Sequence, residues 1–166
     1  MIIQHPWAPV YSPQSKILIL GTMPSPKSRE SGFYYGHPQN CFWRTLSLVL
    51  GQGEPAADAA SRREFLLKNR IALWDVLSSC EIDGASDASI RRPVANKFRS
   101  LIEATEISAV FAAGRKAAVL FERHCAAEAG MEAIYLPSTS PANRLRQAGP
   151  EFIRAWMKVK EHLAEG

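Results

Sequence analysis

The sequence predicts a three-layer α/β/α sandwich around a central four-stranded, largely parallel sheet, and three observations carry that prediction. Four short apolar runs are spread along the chain, segments of helical period lie between them, and glycine or proline follows three of the runs. Residues 16–21, KILILG, are the clearest strand: an unbroken apolar run ending at glycine is what a strand buried on both faces requires. Residues 71–76 (IALWDV), 107–113 (ISAVFAA) and 133–136 (AIYL) share that character. From Asn40, the residues Phe42, Leu46 and Val49 recur at helical spacing, and residues 115–128 place Ala117, Phe121 and Cys125 on one stripe. Phe152, Trp156, Val159 and Leu163 form a last amphipathic stripe, entered after Gly149-Pro150, where proline suits a first helical turn. Residues 51–58 and 81–89 read as turn-rich loops.

Length and composition bound the answer. A chain of 166 residues is read as one domain, 1–166, and 46% hydrophobic with 22% charged residues excludes a disordered, collagen-like or coiled-coil chain. The longest apolar run, residues 17–20, is far short of the ~20 residues that span a bilayer, so no membrane partner is expected. The opening MIIQHPWAPVYSP lacks the basic start, long apolar stretch and cleavage site of a secretory signal, so a cytoplasmic location is expected. Cys41, Cys80 and Cys125 are odd in number and form no CxxC, which supports neither a disulfide framework nor a metal cage, and no cofactor is expected. A net charge of +4 permits a polyanionic partner.

In a sandwich of this class the binding crevice lies at the carboxyl ends of the strands. Those ends carry Gly21-Thr22-Met23-Pro24-Ser25-Pro26, Asp75-Val76, Ala113-Gly114-Arg115 and Pro137-Ser138-Thr139-Ser140-Pro141. Neither GxxxxGKS nor GxGxxG stands after the first strand, which disfavours a small-nucleotide-binding protein. The first strand instead runs into GTMPSPKSRESGFYYGHPQNCFWRTL, in which Phe33, Tyr34 and Tyr35 are consecutive. Two readings of these rings stand: an aromatic staple that folds the loop onto itself, or the wall of a pocket on which a flat ligand stacks.

GTMPS with YYGHPQNCFW after it resembles the first conserved region of the uracil-DNA glycosylase superfamily, particularly its mismatch-specific and hypoxanthine-DNA glycosylase branches. LPSTSPAN resembles the second, and with GASDASIRRPVANKF and AAGRKAA between them the similarity runs in order over residues 16–152. The resemblance implies a monofunctional DNA glycosylase acting on deaminated bases, hypoxanthine first, in double-stranded DNA, and working as a monomer. Uracil or thymine excision from mismatches, and a non-catalytic nucleic-acid-binding domain of the same fold, are the alternatives. One departure bears on mechanism: the mismatch-specific uracil enzymes carry asparagine where this chain has Met23, and a thioether can neither orient nor deprotonate water. The hypoxanthine branch is similar in lacking that asparagine, and its catalytic asparagine corresponds to Asn40.

Resemblance and position together distribute roles. Asn40, through the resemblance, and Asp75, through its place at the end of the second strand, are the catalytic candidates, against the plainer readings of a helix N-cap for Asn40 and a loop-ordering carboxylate for Asp75. Thr22, Met23, Tyr35 and Ser138 are candidates for holding the base, with Tyr35 as the stacking ring and a backbone N–H near Thr22 or Met23 for the purine O6. Ser25, Ser28, His37, Ser140 and Asn143 are candidates for gripping the DNA backbone, against ordinary turn chemistry. Arg144 or Leu145 is the candidate wedge for the vacated base stack. No lysine stands where a Schiff base needs one, so hydrolysis without strand cleavage is expected.

Overall fold

The computed structural model describes residues 1–165. In chain order the elements are β1 (Ile2–Gln4), β2 (Ile17–Gly21), α1 (Pro26–Ser31), α2 (Phe42–Leu50), α3 (Ala59–Lys68), β3 (Ile71–Asp75), β4 (Leu77–Glu81), β5 (Arg91–Ala95), α4 (Arg99–Glu103), β6 (Ala109–Ala113), α5 (Arg115–His124), α6 (Ala126–Ala129), β7 (Ala133–Leu136), α7 (Arg144–Gln147) and α8 (Pro150–Ala164). The four strands foreseen from apolar runs pair in the order β3-β2-β6-β7, and every pairing is parallel. The chain leaves central β2 for β3 on one side and later returns to β6 on the other, so the order reverses between β2 and β6. That reversal opens the crevice at the carboxyl edge.

Side-chain alternation on β2 builds the two outer layers. Ile17 and Ile19 point into a core closed by Phe42, Trp43 and Leu46 of α2, Phe65 and Leu66 of α3, and Phe152, Trp156 and Val159 of α8. Leu18 and Leu20 point into a second core closed by Leu101 of α4, Leu120 and Phe121 of α5, and Ala129 of α6. Both faces of the sheet are thus covered, which is why its strands read as continuous apolar runs rather than alternating ones.

The short helices α1, α4 and α7 were not foreseen, and three larger parts also depart from the sequence expectation. A second sheet, β1-β4-β5, is antiparallel and packs on the second core through Leu77 and Cys80. It went unforeseen because LSSCE and RRPVA are short, partly polar and lie where turn residues dominate; Glu81, assigned to a loop, ends β4. Helix α3 went unforeseen because its apolar residues bunch at its C-terminal end instead of repeating on one face. The expected helix over 115–128 is two helices, broken at Cys125, whose φ of −127° departs from helical geometry.

Helix α8 braces the crevice as well as the core. Trp156 is fully buried, and its indole N–H donates to the carbonyl of Pro137 at 3.0 Å, just past the end of β7. Trp156→Ala is expected to lower the unfolding free energy by about 3–5 kcal/mol, read from urea denaturation.

Candidate active site

A cavity of about 350 Å³ sits at the carboxyl edge of β2, β3 and β6, lined by the loops beyond those strands and by the Ser138–Ala142 segment beyond β7. At its floor is Gly21. A Cβ there would lie 2.5 Å from Asp75 Oδ1 and 2.8 Å from the Tyr35 hydroxyl, closer than such atoms approach. The carbonyls of Gly21 and Thr22 accept from Val76 N–H at 2.8 Å and Leu77 N–H at 3.1 Å, tying the ends of β2 and β3 together. Thr22 is buried and Met23 half-buried; both line the cavity.

The loop beyond is held by its own hydroxyls. Ser25 caps α1 by accepting from Ser28 N–H at 3.1 Å, and the buried Ser28 Oγ accepts from Gly36 N–H at 3.0 Å. The two readings of the aromatic run divide between its members. Phe33 and Tyr34 are core residues, packed with Trp7 and Trp43, and form the staple, although Tyr34 also reaches the cavity wall. Tyr35 lines the cavity, its ring stacked on Phe42 at 4.0 Å and 11°. Its φ of +52° lies in the left-handed region, uncommon for a bulky residue and a sign that the surroundings dictate its placement. Its hydroxyl is sealed from solvent without a hydrogen-bond partner. Burial, then the charges of Asp75 and Asp87, push the Tyr35 phenol well above its ordinary range, so it stays protonated.

Asn40 lies on the cavity wall, where the turn His37-Pro38-Gln39 meets α2. Its Oδ1 accepts from Phe42 N–H at 2.9 Å, the capping bond its position suggests. That bond also fixes the amide's orientation, because only the oxygen can accept. One oxygen lone pair and both Nδ2 hydrogens remain for other partners. His37 lines the cavity too, and its Nδ1 accepts from Gln39 N–H at 3.0 Å, the loop-ordering contact.

The facing wall is a ladder of turn hydrogen bonds. Ser138 Oγ accepts from Ser140 N–H at 3.1 Å and Ser140 Oγ from Ala142 N–H at 3.2 Å. Asn143 Nδ2 and Gln147 Nε2 both donate to the Ser138 carbonyl, at 2.9 and 3.0 Å. Two bonds join this wall to the opposite one: Cys41 N–H to the Thr139 carbonyl at 3.1 Å, and Arg144 Nη2 to Gln39 Oε1 at 3.1 Å.

Two carboxylates line the cavity. Asp75 is buried, and its Oδ2 lies 2.8 Å from Nε2 of His5. Asp87, on a single 3₁₀ turn between β4 and β5, lines the mouth of the cavity. The residue's outer side is exposed, but desolvation on the cavity side pushes its carboxyl above the ordinary range; Lys116 opposes this and the charge of Asp75 adds to it. No group of three or more metal-ligating side chains occurs among the described residues.

Of the residues singled out in the sequence, Thr22, Met23, Ser25, Ser28, Tyr35, His37, Asn40, Asp75, Ser138 and Ser140 come together around the cavity. Asn143, Arg144 and Leu145 do not line it: Asn143 braces its wall, Arg144 ties the two rims, and Leu145 projects outward at 93% exposure. Sequence reasoning missed Thr139 and Asp87 at the cavity and His5 behind it. Asp87 had a signal, since it belongs to the GASDASI stretch; His5 had none, being 70 positions from its partner. Gly21→Ala is expected to abolish the close approach at the floor and to lower the unfolding free energy by about 1–3 kcal/mol, measured by denaturant titration.

Comparison with known proteins agrees with this geometry. The model of the uracil DNA glycosylase superfamily matches residues 8–160. A hypoxanthine DNA glycosylase of Methanosarcina barkeri is 36% identical over 137 residues, 82% of this chain and 85% of the relative. One from Methanosarcina acetivorans is 33% identical over 144 residues, 86% of this chain and 90% of the relative. A solution NMR structure from Methanosarcina acetivorans, described as a candidate uracil DNA glycosylase, superposes with a TM-score of 0.80 at 33% identity over 99% of this chain and 100% of its own. With its parallel sheet, its carboxyl-edge cavity and a match spanning nearly all its length, the chain belongs to the uracil DNA glycosylase superfamily.

Proposed function

We propose that the protein is a monofunctional DNA glycosylase that hydrolyses the N-glycosidic bond of deoxyinosine in double-stranded DNA, releasing hypoxanthine and leaving an abasic site. The observation that carries this reading is the cavity that gathers a stacked tyrosine ring, a fixed asparagine amide and a buried carboxylate at the sheet's carboxyl edge. Relatives bearing the name hypoxanthine DNA glycosylase, matched over more than four-fifths of the chain, support the choice of base.

The chemistry asks for three services. A duplex hides the sugar–base bond, so the nucleotide is extruded and its base received on an aromatic face, the part of Tyr35. Bond cleavage then builds positive charge on the sugar and negative charge on the base, and fixed dipoles around the base stabilise that charge. Water adds to C1′ as the base departs. Asn40 holds that water through its remaining lone pair and N–H groups, and with Met23 at the position of the family's other asparagine it takes the water-positioning role alone. Asp75 is the carboxylate within the same cavity. Among the described residues that line it none is lysine, in keeping with hydrolysis rather than a covalent imine.

The DNA backbone is received by the rim. Ser25, Ser140 and His37 line the cavity, and Leu145, exposed beyond it, is the wedge that this reading assigns to the vacated stack. One copy of the chain suffices for this arrangement. No helix among the described residues is long and apolar enough to cross a membrane. Three buried free cysteines suit a reducing cytoplasm.

Duplex oligonucleotides carrying one inosine, uracil, xanthine or ethenoadenine, incubated with the protein and then treated with alkali, test the reading. Inosine strands are expected to be cut fastest; no cleavage of any duplex, with DNA retained at low salt, would leave only a binding domain. Asn40→Ala is expected to slow single-turnover cleavage of inosine DNA by about 100-fold or more. Leu145→Ala is expected to lower kcat/KM several-fold on duplex and to leave single-stranded inosine DNA nearly unaffected, read from matched kinetics on the two substrates.

A further inference from the structure

His5 stands outside the segment that matches the superfamily, residues 8–160, yet among the described residues it is the one side chain hydrogen-bonded to the carboxylate of Asp75. Its position is built from both sides. The preceding strand β1 pairs with β4, His5 N–H donates to the Ser78 carbonyl at 2.7 Å, and Val10 is bridged to Leu73 of β3 by two hydrogen bonds of 2.9 Å. The ring is 4% exposed and sits among Trp7, Tyr34 and Trp74.

The hydrogen bonds also fix its tautomer. Nδ1 accepts from Trp7 N–H at 3.2 Å, so it carries no proton, and the ring's hydrogen is on Nε2, donated to Asp75 Oδ2 at 2.8 Å. The other oxygen, Oδ1, accepts no hydrogen bond among the described residues. It is also not among the sealed unpartnered atoms, which are Tyr35 Oη and Arg62 Nε, so it opens to the cavity that Asp75 lines. One carboxylate oxygen is clamped and the other presented as a bare acceptor.

We infer that His5 is a positioning residue that aims Asp75 Oδ1 at the ring N–H of the extruded base, making the cavity select a purine with a hydrogen on N1 over one with a lone pair there. Hypoxanthine offers N1–H, adenine a lone pair that a carboxylate repels. Guanine also has N1–H, but its favoured partner is a carboxylate with both oxygens free for N1–H and the 2-amino group, and Oδ2 is already taken by His5. The inference rests on the glycosylase reading and adds the group that sorts the substrate.

Equilibrium binding of duplexes holding an uncleavable 2′-fluorinated inosine, or the unsubstituted purine whose N1 is a lone pair, reads the selection without relying on turnover. The wild-type protein is expected to favour inosine by at least about 100-fold. His5→Phe, which suits the surrounding rings but cannot donate, is expected to narrow that ratio about tenfold, and His5→Gln, which keeps an N–H, to restore most of it. Asp75→Asn, which turns the free atom into a donor when His5 holds the amide oxygen, is expected to erase or invert the preference. Should His5→Phe not fold, judged by its melting curve, His5→Leu, which likewise cannot donate, takes its place beside Asp75→Asn. Equal wild-type affinity for the two duplexes, or a ratio unchanged in His5→Phe and Asp75→Asn, overturns the inference even where inosine DNA is still cleaved. Absence of cleavage in the wild type overturns the glycosylase reading itself.

Discussion

The missing side chain at Gly21 is the constraint around which the site is built. Asp75 comes from the neighbouring strand and Tyr35 from a loop beyond α1, and both converge on the Cα of Gly21. A methyl group there would overlap both. Parallel pairing sets the rest: the register aligns Gly21 with Asp75, so the two strands end at the same height and the carboxylate emerges directly beside the glycine. Burial of β2 on both faces then keeps this floor rigid, because neither helical layer can move without exposing Ile17, Ile19, Leu18 or Leu20.

The walls are stiffened by hydrogen bonds that join regions far apart in sequence. Cys41 to Thr139 and Arg144 to Gln39 hold the two motif-bearing loops face to face, and Trp156 reaches from α8 to Pro137 behind them. Much of the hydroxyl chemistry around the cavity is turn chemistry: Ser25, Ser28, Ser138 and Ser140 all accept from nearby backbone N–H groups. Ser28 in particular is buried and engaged from two sides, which makes it a structural member of the wall. The groups left free for a ligand are correspondingly few and sharply placed: the Asn40 amide, one oxygen of Asp75, and the rings and backbone around them.

Electrostatically the cavity is an uncharged surface with acidic points. Burial pushes the phenols of Tyr34 and Tyr35 far above their ordinary range, and the cysteines at the second core obey the same rule, with burial, then Glu128, pushing the Cys125 thiol up to about 11. These groups stay neutral and inert around neutral pH. The two carboxylates, Asp75 at the floor and Asp87 at the mouth, repel each other, so a ligand that brings hydrogen-bond donors between them relieves an existing tension. A hydrogen-bond donor meets that requirement, while a phosphate does not.

Local pattern in the chain was enough to specify the central sheet, the helices α2 and α8 and the edge of the sheet at which the cavity lies. Each is signalled by periodicity or by turn residues at strand ends, and a strand covered on both faces has no other pattern available to it. The motif stretches and the strand ends likewise marked ten of the residues that gather at the cavity. Choosing between the readings of those residues required the folded molecule: Phe33 lies in the core, Tyr34 in the core and on the cavity wall, Tyr35 on the wall, and Asn40 caps α2 with its amide still available. Folding also created the antiparallel sheet, whose strands carry too few apolar residues to announce themselves, and the pairing of His5 with Asp75. A hydrogen bond across 70 residues leaves no trace in local pattern, because the backbone geometry that creates it exists only after the sheet has closed around β2.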